Sequence, residues 1–289
     1  DISAEKCKAL AEAGPFEELN ALDGEGFSAI VKKYNIDTIF NLVALLSATG
    51  EKNPKLAWDI NIGALTNSLY IAKDNNCAVF TPSSIGAFGN DTPKDKTPQD
   101  TLQRSNTTIY GVCKVTGELL SDYYFNRFGV DTRSVRFPGL ISYVTLPGGG
   151  TTDYAVEIYY DAIRKGSFTC NVKEGTYMDM MYLPDALNAV VQLMEADPSK
   201  LKHRNSFNIA SMSFEPEQIA AEIRKHLPDF KMDYQIDPVK QAIANSWPNS
   251  IDDTCAREEW GWAPKFDLTS MTNDMLIKVK EKFDKGLIK

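Results

Sequence analysis

The first part of the chain alternates short apolar segments with longer amphipathic ones, and this order is the strongest constraint on its fold. Strands are predicted within 36–44, 78–84 and 130–142, and helices over 54–74 and 107–128. Strand–helix–strand–helix order predicts a parallel sheet with helices on both faces. We therefore expect an α/β protein with a doubly wound parallel sheet, whose ligands bind at the carboxyl ends of the strands.

The pattern changes after about residue 142. We predict a nucleotide-binding domain over 1–142, with part of it returning at about 180–210, and a smaller substrate-binding lobe formed mainly by 143–289. The elements predicted in this second part are a helix ending near Arg164, a helix over 180–196, a strand at 206–210, a helix over 215–227, a strand at 231–237 and a helix from about Ser270.

One expected element is absent from the sequence. A nucleotide-binding sheet usually opens with a strand, a glycine-rich turn and a helix, and the turn lets backbone amides approach a pyrophosphate. The glycines at 24–26 and 86–89 lack that context, whereas the segment from Asp1 to Asp23 is typical of such a sheet from the end of its second strand onward. We expect the first strand–turn–helix unit to precede Asp1, because without it the sheet has an exposed apolar edge.

Charge and composition argue against several classes of partner. The net charge of −8 and pI near 5.0 do not favour binding to nucleic acid or an anionic membrane, and no apolar segment approaches the roughly 18 residues that cross a bilayer. The cysteines are scattered without a C-x-x-C, and the two histidines have no neighbouring cysteine, so we expect no metal site. A reduced, cytoplasmic location is predicted, or the mitochondrial matrix if a targeting segment precedes Asp1.

Tyr110 and Lys114 are four residues apart in the predicted helix 107–128 and so share a helix face. A phenol is a poor base at neutral pH, and a nearby ammonium favours its phenolate form. With 12 tyrosines in 289 residues the spacing arises about once by chance, so a core helix and a catalytic base both stay open on this pair alone. Ser83 and Ser84 end the preceding strand, where a hydroxyl can hold a substrate oxygen or merely cap a turn.

Ser84, the Tyr110–Lys114 pair and the segments NLVALLS, DINIGALTNSL and RFPG together resemble the extended short-chain dehydrogenase/reductases. The resemblance covers essentially the whole chain and lacks only the glycine motif. Within that family, longer strings are similar to the zinc-independent L-threonine 3-dehydrogenases; these are LLSATGE, PSSIGAFG, LPGGGTTDYA, MMYLPDALNAV, IANSWPNSIDD and WGWAP. Many relatives carry Ser-Thr in place of Ser83-Ser84, which keeps the hydroxyl.

The resemblance implies a Rossmann-like fold, NAD as cofactor, and oxidation of the 3-hydroxyl of L-threonine to 2-amino-3-oxobutyrate. It assigns Tyr110 as the base, Lys114 as its partner and Ser84 or Ser83 as the hydroxyl donor. A homodimer formed through helices 54–74 and 107–128 is also implied. Residues expected near NAD are Asp1, Ile2, Leu22, Asp23, Leu42, Ala44, Asn61, Tyr110, Lys114 and Leu140; those expected near L-threonine are Ser47, Ser83, Ser84, Tyr110, Gly149, Gly150, Thr151, Thr152 and Trp247.

Several assignments keep alternatives. The LPGGGTT turn either offers amides of Gly149, Gly150 and Thr151 to a substrate carboxylate or is a flexible hinge. Trp247 either shields the substrate or packs between lobes, and Asn61 is either a helix polar residue or a strut tying the active-site strand.

Two other functions compete with threonine oxidation. A UDP-sugar epimerase or dehydratase also uses Ser, Tyr and Lys, but typically has an Asn where this chain has Pro138 in RFPG. A non-catalytic nucleotide-sensing scaffold fits the missing glycine turn, yet has no need of a base such as Tyr110.

Overall fold

A computed structural model describes residues 1–3, 14–101 and 107–288, and it confirms the predicted α/β class. Within the segment from Asp1 to Asp23, residues 4–13 lie outside the described residues. The helices are α1 (Gly24–Lys33), α2 (Ser47–Lys52), α3 (Pro54–Asn75), α4 (Ile109–Phe128), α5 (Tyr154–Lys165), α6 (Leu183–Glu195), α7 (Pro216–His226), α8 (Pro238–Ser246), α9 (Thr254–Trp260) and α10 (Leu268–Asp284).

The strands are short and form parallel ladders in most places. They are β1 (Thr38–Phe40), β2 (Ala78–Phe80), β3 (Ser83–Ser84), β4 (Thr132–Arg133), β5 (Val135–Phe137), β6 (Gly139–Ile141), β7 (Ser167–Cys170), β8 (Met178–Tyr182), β9 (Phe207–Asn208), β10 (Met212–Phe214) and β11 (Lys231–Tyr234).

The main sheet consists of short strand pairings, in which one extended segment of chain contributes consecutive strands such as β2 and β3, or β5 and β6. β2 pairs in parallel with β1 and β4, and β5 pairs in parallel with β3 and β9. Farther along the same segment β6 pairs in parallel with β8, and β10 adds an antiparallel edge to β8. β7 and β11 form a separate parallel pair in the C-terminal part. All five residues of β8 are buried, as expected for a strand covered on both faces.

The predicted helices and strands agree with the structure where capping residues mark both of their ends. The predicted helix 54–74 is α3, whose side-chain cap is Asn53 and whose left-handed final cap is Asn76. The predicted helix over 180–196 is wrong in its first turn, because Met180 to Tyr182 belong to β8 and the helix begins only at Leu183. A buried apolar run does not distinguish a strand from a helix by periodicity, and Pro184 in the first turn marks the true start.

A buried ion pair joins α4 to the sheet. Arg136 on β5 donates from Nε and Nη2 to the two carboxylate oxygens of Glu118 on α4, at 3.1 and 3.0 Å. Its Nη1 donates to the Gln99 carbonyl at 2.9 Å and to Asn208 Oδ1 at 3.0 Å. Ser83 on β3 donates its hydroxyl to the same Glu118 carboxylate. Helix α4 is therefore fixed to two neighbouring strands at one point.

Within the described residues, no strand pairs with the outer edge of β1. The side chains of Phe40 and Leu42 beside that edge are 48% and 67% exposed. A further strand there, and a domain division near residue 142, both stay predictions. No helix in the described part of the chain is long and apolar enough to cross a membrane.

Candidate active site

Ser84 lies at the end of β3, where the chain turns sharply. Its Oγ accepts the backbone N–H of Gly86 at 3.0 Å, which leaves the hydroxyl proton to be donated elsewhere. The neighbouring Ser83 is buried, and its hydroxyl donates to Glu118. Of the two predicted hydroxyl donors, Ser84 is thus the one whose proton the described contacts do not engage.

Tyr110 and Lys114 occupy the first turns of α4, which is capped by the side chain of Thr108. The Lys114 ammonium lies 5.3 Å from the centroid of the Tyr110 ring and donates to the carbonyl of Pro82. A Cβ on Gly86 would lie 3.1 Å from the Tyr110 ring and 3.4 Å from Ser84 Oγ. The absence of a side chain at Gly86 therefore lets the phenol pack against the turn that carries the serine.

A cavity of about 360 Å³ opens at this point. Strand ends, α4, the glycine-rich turn and the segment containing Trp247 form its walls. Most residues predicted from the sequence line it, namely Leu42, Ala44, Ser47, Ser83, Ser84, Tyr110, Lys114, Leu140, Gly150, Thr151, Thr152 and Trp247. Gly149 does not line it.

The glycine-rich turn binds its own carboxylate. The amides of Gly149 and Gly150 donate to Asp153 Oδ2 at 2.7 and 2.6 Å. These are the amides predicted to meet a substrate carboxylate, so that use would require Asp153 to move away. Asp153 itself lines the cavity. The Thr151 hydroxyl is buried and has no hydrogen-bond partner among the described residues.

A second cavity of about 800 Å³ adjoins the first, since Leu42 and Ala44 line both. Asp1, Ile2 and Leu22 stand on its wall, with other apolar side chains. Apolar walls suit a planar base, and a carboxylate suits a ribose diol, so these residues fit the adenosine half of a dinucleotide.

Two predicted cofactor residues have structural roles instead of lining either large cavity. Asp23 caps α1, where its Oδ1 accepts the Gly26 amide at 3.0 Å. Asn61 accepts the Leu45 amide at 2.6 Å and donates to the Leu45 carbonyl at 3.2 Å. Asn61 thus ties α3 to the loop that leads to Ser47, at Leu45, and not to a strand as the alternative role had it.

The segment around Trp247 is held largely by main-chain atoms. The Lys94 ammonium donates to the carbonyls of Asn245 and Trp247 at 2.8 and 3.0 Å. Asp179 on β8 accepts the Ile251 amide at 3.0 Å. The Trp247 side chain is only 7% exposed, so it packs into the core as well as reaching the cavity.

Sequence reasoning missed Asp153, Lys94 and Asp179 as parts of this site. Asp153 had a signal, since an acid directly after a glycine-rich turn and before a helix favours contacts with free amides. Lys94 lies in a polar loop more than 150 residues from its partners, and the sequence offers no local sign of those contacts.

Comparison with known proteins gives this site its class. Residues 1–210 match the NAD dependent epimerase/dehydratase family. A Staphylococcus haemolyticus protein, described as an uncharacterized epimerase/dehydratase, is 60% identical over 269 residues, which is 93% of this chain and 84% of that protein. The chain belongs to this family of NAD-dependent enzymes.

Among solved structures, the chain is similar to L-threonine dehydrogenases. L-threonine dehydrogenase from Clostridium difficile has a TM-score of 0.93 at 57% identity, covering 94% of this chain and 85% of that one. The holo form of GalE-like L-threonine dehydrogenase from Cupriavidus necator has a TM-score of 0.90 at 45% identity and covers 96% of both chains. The predicted resemblance, the Rossmann-like fold and NAD as cofactor are confirmed.

Asp179 makes the stability of the protein depend on pH. Burial, followed by the nearby charge of Asp253, raises the pKa of Asp179 to about 7. In the unfolded chain this carboxyl titrates near its ordinary value of about 3.9. The folded state therefore holds a proton that the unfolded state has lost, and stability from this group falls as the pH rises from about 4 to about 7.

We expect Asp179→Asn, which stays neutral, to be more stable than the wild type at pH 8 by on the order of 3 kcal/mol, with the difference disappearing near pH 4. Urea unfolding across that pH range measures it, with the exposed Asp233→Asn as the control. An Asp179→Asn offset that is the same at every pH would contradict the assignment.

Proposed function

We propose that this enzyme oxidises the 3-hydroxyl of L-threonine to 2-amino-3-oxobutyrate. The observation that carries the proposal is the 360 Å³ cavity, which Ser84, Tyr110 and Lys114 line together with Thr151 and Trp247. Its size suits a small amino acid beside a nicotinamide ring. We propose further that residues 1–142 mainly bind NAD and 143–289 mainly bind the amino acid.

The reacting groups have complementary tasks. Tyr110 accepts the proton of the substrate hydroxyl at its phenolic oxygen, and the Ser84 hydroxyl donates a hydrogen bond to the oxygen that becomes a carbonyl. Bound NAD would supply the hydride acceptor for the carbon that carries this hydroxyl. Lys114 places a positive charge beside the Tyr110 ring, and its bond to the Pro82 carbonyl keeps that charge in position.

The two charged groups of threonine need partners in the same cavity. Asp153 provides a carboxylate for the ammonium, and the two glycine amides hold that carboxylate in place. Thr151 and Thr152 bring hydroxyls that suit the substrate carboxylate. Salt bridges made away from bulk water are worth more than exposed ones, so Trp247 on the cavity wall strengthens these contacts by excluding water.

Pro138 argues against the sugar-nucleotide alternative. It lines the cavity at the segment where epimerases typically carry an Asn, and proline offers no side-chain amide.

Tyr110→Phe should lower turnover of L-threonine by about 10²-fold or more, because the ring is kept while the oxygen that takes the proton is lost. Tyr177→Phe is the control, since Tyr177 is an exposed tyrosine that lines neither cavity and should keep full activity. Steady-state reduction of NAD, with circular dichroism to verify folding, measures both. Near-normal turnover by Tyr110→Phe would refute the assigned base.

The substrate is tested by offering NAD with L-threonine, with 3-hydroxybutyrate, which lacks the ammonium, or with a UDP-sugar. We expect the wild type to prefer L-threonine strongly. Asp153→Asn keeps an acceptor for the glycine amides but loses the charge, so it should raise KM for L-threonine by about 10-fold or more and reduce the preference over 3-hydroxybutyrate.

An unchanged preference in Asp153→Asn would remove Asp153 from the ammonium site while leaving the reaction intact. Turnover of the UDP-sugar in place of L-threonine would overturn the proposed function and favour the epimerase.

A homodimer is also proposed, on the support of apolar side chains exposed along α3 and α4. These are Trp58, Tyr70, Leu119, Tyr123 and Phe128, each at least 40% exposed. Burying such a face between two copies gains hydrophobic free energy. Sedimentation equilibrium at micromolar concentration tests it: we expect twice the chain mass, and Leu119→Glu should shift the equilibrium toward monomer.

A further inference from the structure

Three potential metal ligands meet away from the active site. His203 lies in the loop before β9, and Cys255 and Glu259 lie one turn apart on the same face of α9. One ligand atom from each residue lies within 4.8 Å of the others. None of the three lines the two cavities described above.

Surrounding contacts already orient these ligands. Glu259 Oε2 accepts the backbone amides of Lys202 and His203 at 2.6 and 3.2 Å, while its Oε1 contacts His203 Nδ1. The other ring nitrogen, Nε2, lies 3.4 Å from a carboxylate oxygen of Asp100. A carboxylate bonded to the far nitrogen of a histidine is the usual partner that fixes the ring of a metal ligand.

The local charge favours a cation. Four acids lie close enough to the Cys255 thiol to act on it electrostatically; these are Glu259, Asp100, Asp252 and Glu258. A divalent cation would relieve the repulsion among these groups. The side chains of His203 and Glu259 are 24% and 9% exposed, so the cluster is sheltered yet reachable from solvent.

We propose that His203 Nδ1, Cys255 Sγ and Glu259 Oε1 bind one zinc ion, with water in the fourth position. A nitrogen, sulfur and oxygen set suits zinc, whereas Mg²⁺ and Ca²⁺ require oxygen ligands. Binding replaces the His203–Glu259 contact and releases to solvent both the proton that His203 Nδ1 shares with Glu259 and the thiol proton of Cys255. The ion ties α9 to the loop before β9, so it stabilises the folded chain and takes no part in the oxidation.

The sequence predicted no metal site because these ligands are not close in the chain. His203 and Cys255 are 52 residues apart, and neither belongs to a C-x-x-C or H-x-x-x-H pattern. Only the packing of α9 beside the loop brings them together.

The proposal is tested on the full chain after treatment with a chelator. Isothermal titration calorimetry with ZnCl₂ measures the stoichiometry, and differential scanning calorimetry measures the melting temperature with and without zinc. We expect one zinc ion per chain and a melting temperature raised by about 3 °C or more in excess zinc. His203→Gln and Cys255→Ser should each weaken binding by about 10-fold or more and reduce that shift. The matched controls His226→Gln and Cys77→Ala should bind zinc as the wild type does.

Cobalt supplies a readout that a general loss of stability does not reproduce. Co²⁺ bound at this site should show a thiolate-to-metal charge-transfer band in the wild type and in His226→Gln, and no band in Cys255→Ser. No stoichiometric zinc binding by the wild type would overturn the proposal. Equal binding by wild type, His203→Gln and Cys255→Ser would overturn it too, since the ion would then lie elsewhere.

Discussion

The buried ion pair of Arg136 and Glu118 fixes α4, which carries Tyr110, against the strand that ends in Ser84. Taking two charges out of water costs several kcal/mol per ion, and only close geometry with further hydrogen bonds offsets that cost. Here the Gln99 carbonyl and Asn208 Oδ1 accept hydrogen bonds from Nη1 of Arg136, and the Ser83 hydroxyl donates to the Glu118 carboxylate. A pair of this kind contributes more to defining one arrangement than to net stability. Removing one partner typically costs about 3–5 kcal/mol, because the other charge stays buried.

The register of α4 explains why this anchor also positions residues of the candidate active site. Tyr110, Lys114 and Glu118 follow one another at four-residue intervals, so one helix face carries the phenol, the ammonium and the carboxylate that anchors the helix. The anchor bonds Ser83, whose neighbour Ser84 faces the cavity. Because Ser83 and Ser84 are adjacent in the backbone, the bond to Ser83 also fixes the position of the Ser84 backbone. On the other side of the pair, Lys114 donates to the Pro82 carbonyl and ties the same turn to α4.

The sequence was most informative where physical signals are local. Asn53, Pro54 and Asn76 mark the ends of α3, and the spacing of Tyr110 and Lys114 specifies a shared face. It was least informative where the outcome depends on distant partners. An apolar run such as Met180 to Tyr182 becomes a strand because other strands flank it. Likewise, an acid after the glycine-rich turn favours a contact with its amides, but the sequence does not tell whether a substrate carboxylate displaces Asp153 from them.

The contacts of Lys94 and Asp179 with the segment that contains Trp247 have a consequence for how such a site diversifies. The atoms held there are the carbonyls of residues 245 and 247 and the amide of Ile251, which every residue other than proline presents in the same way. The path of the wall thus depends in part on atoms that a change of side chain leaves in place. A lineage can exchange the indole at 247 for another large apolar group that fills the same space in the core and so alter what the pocket admits, while Lys94 and Asp179 keep their contacts.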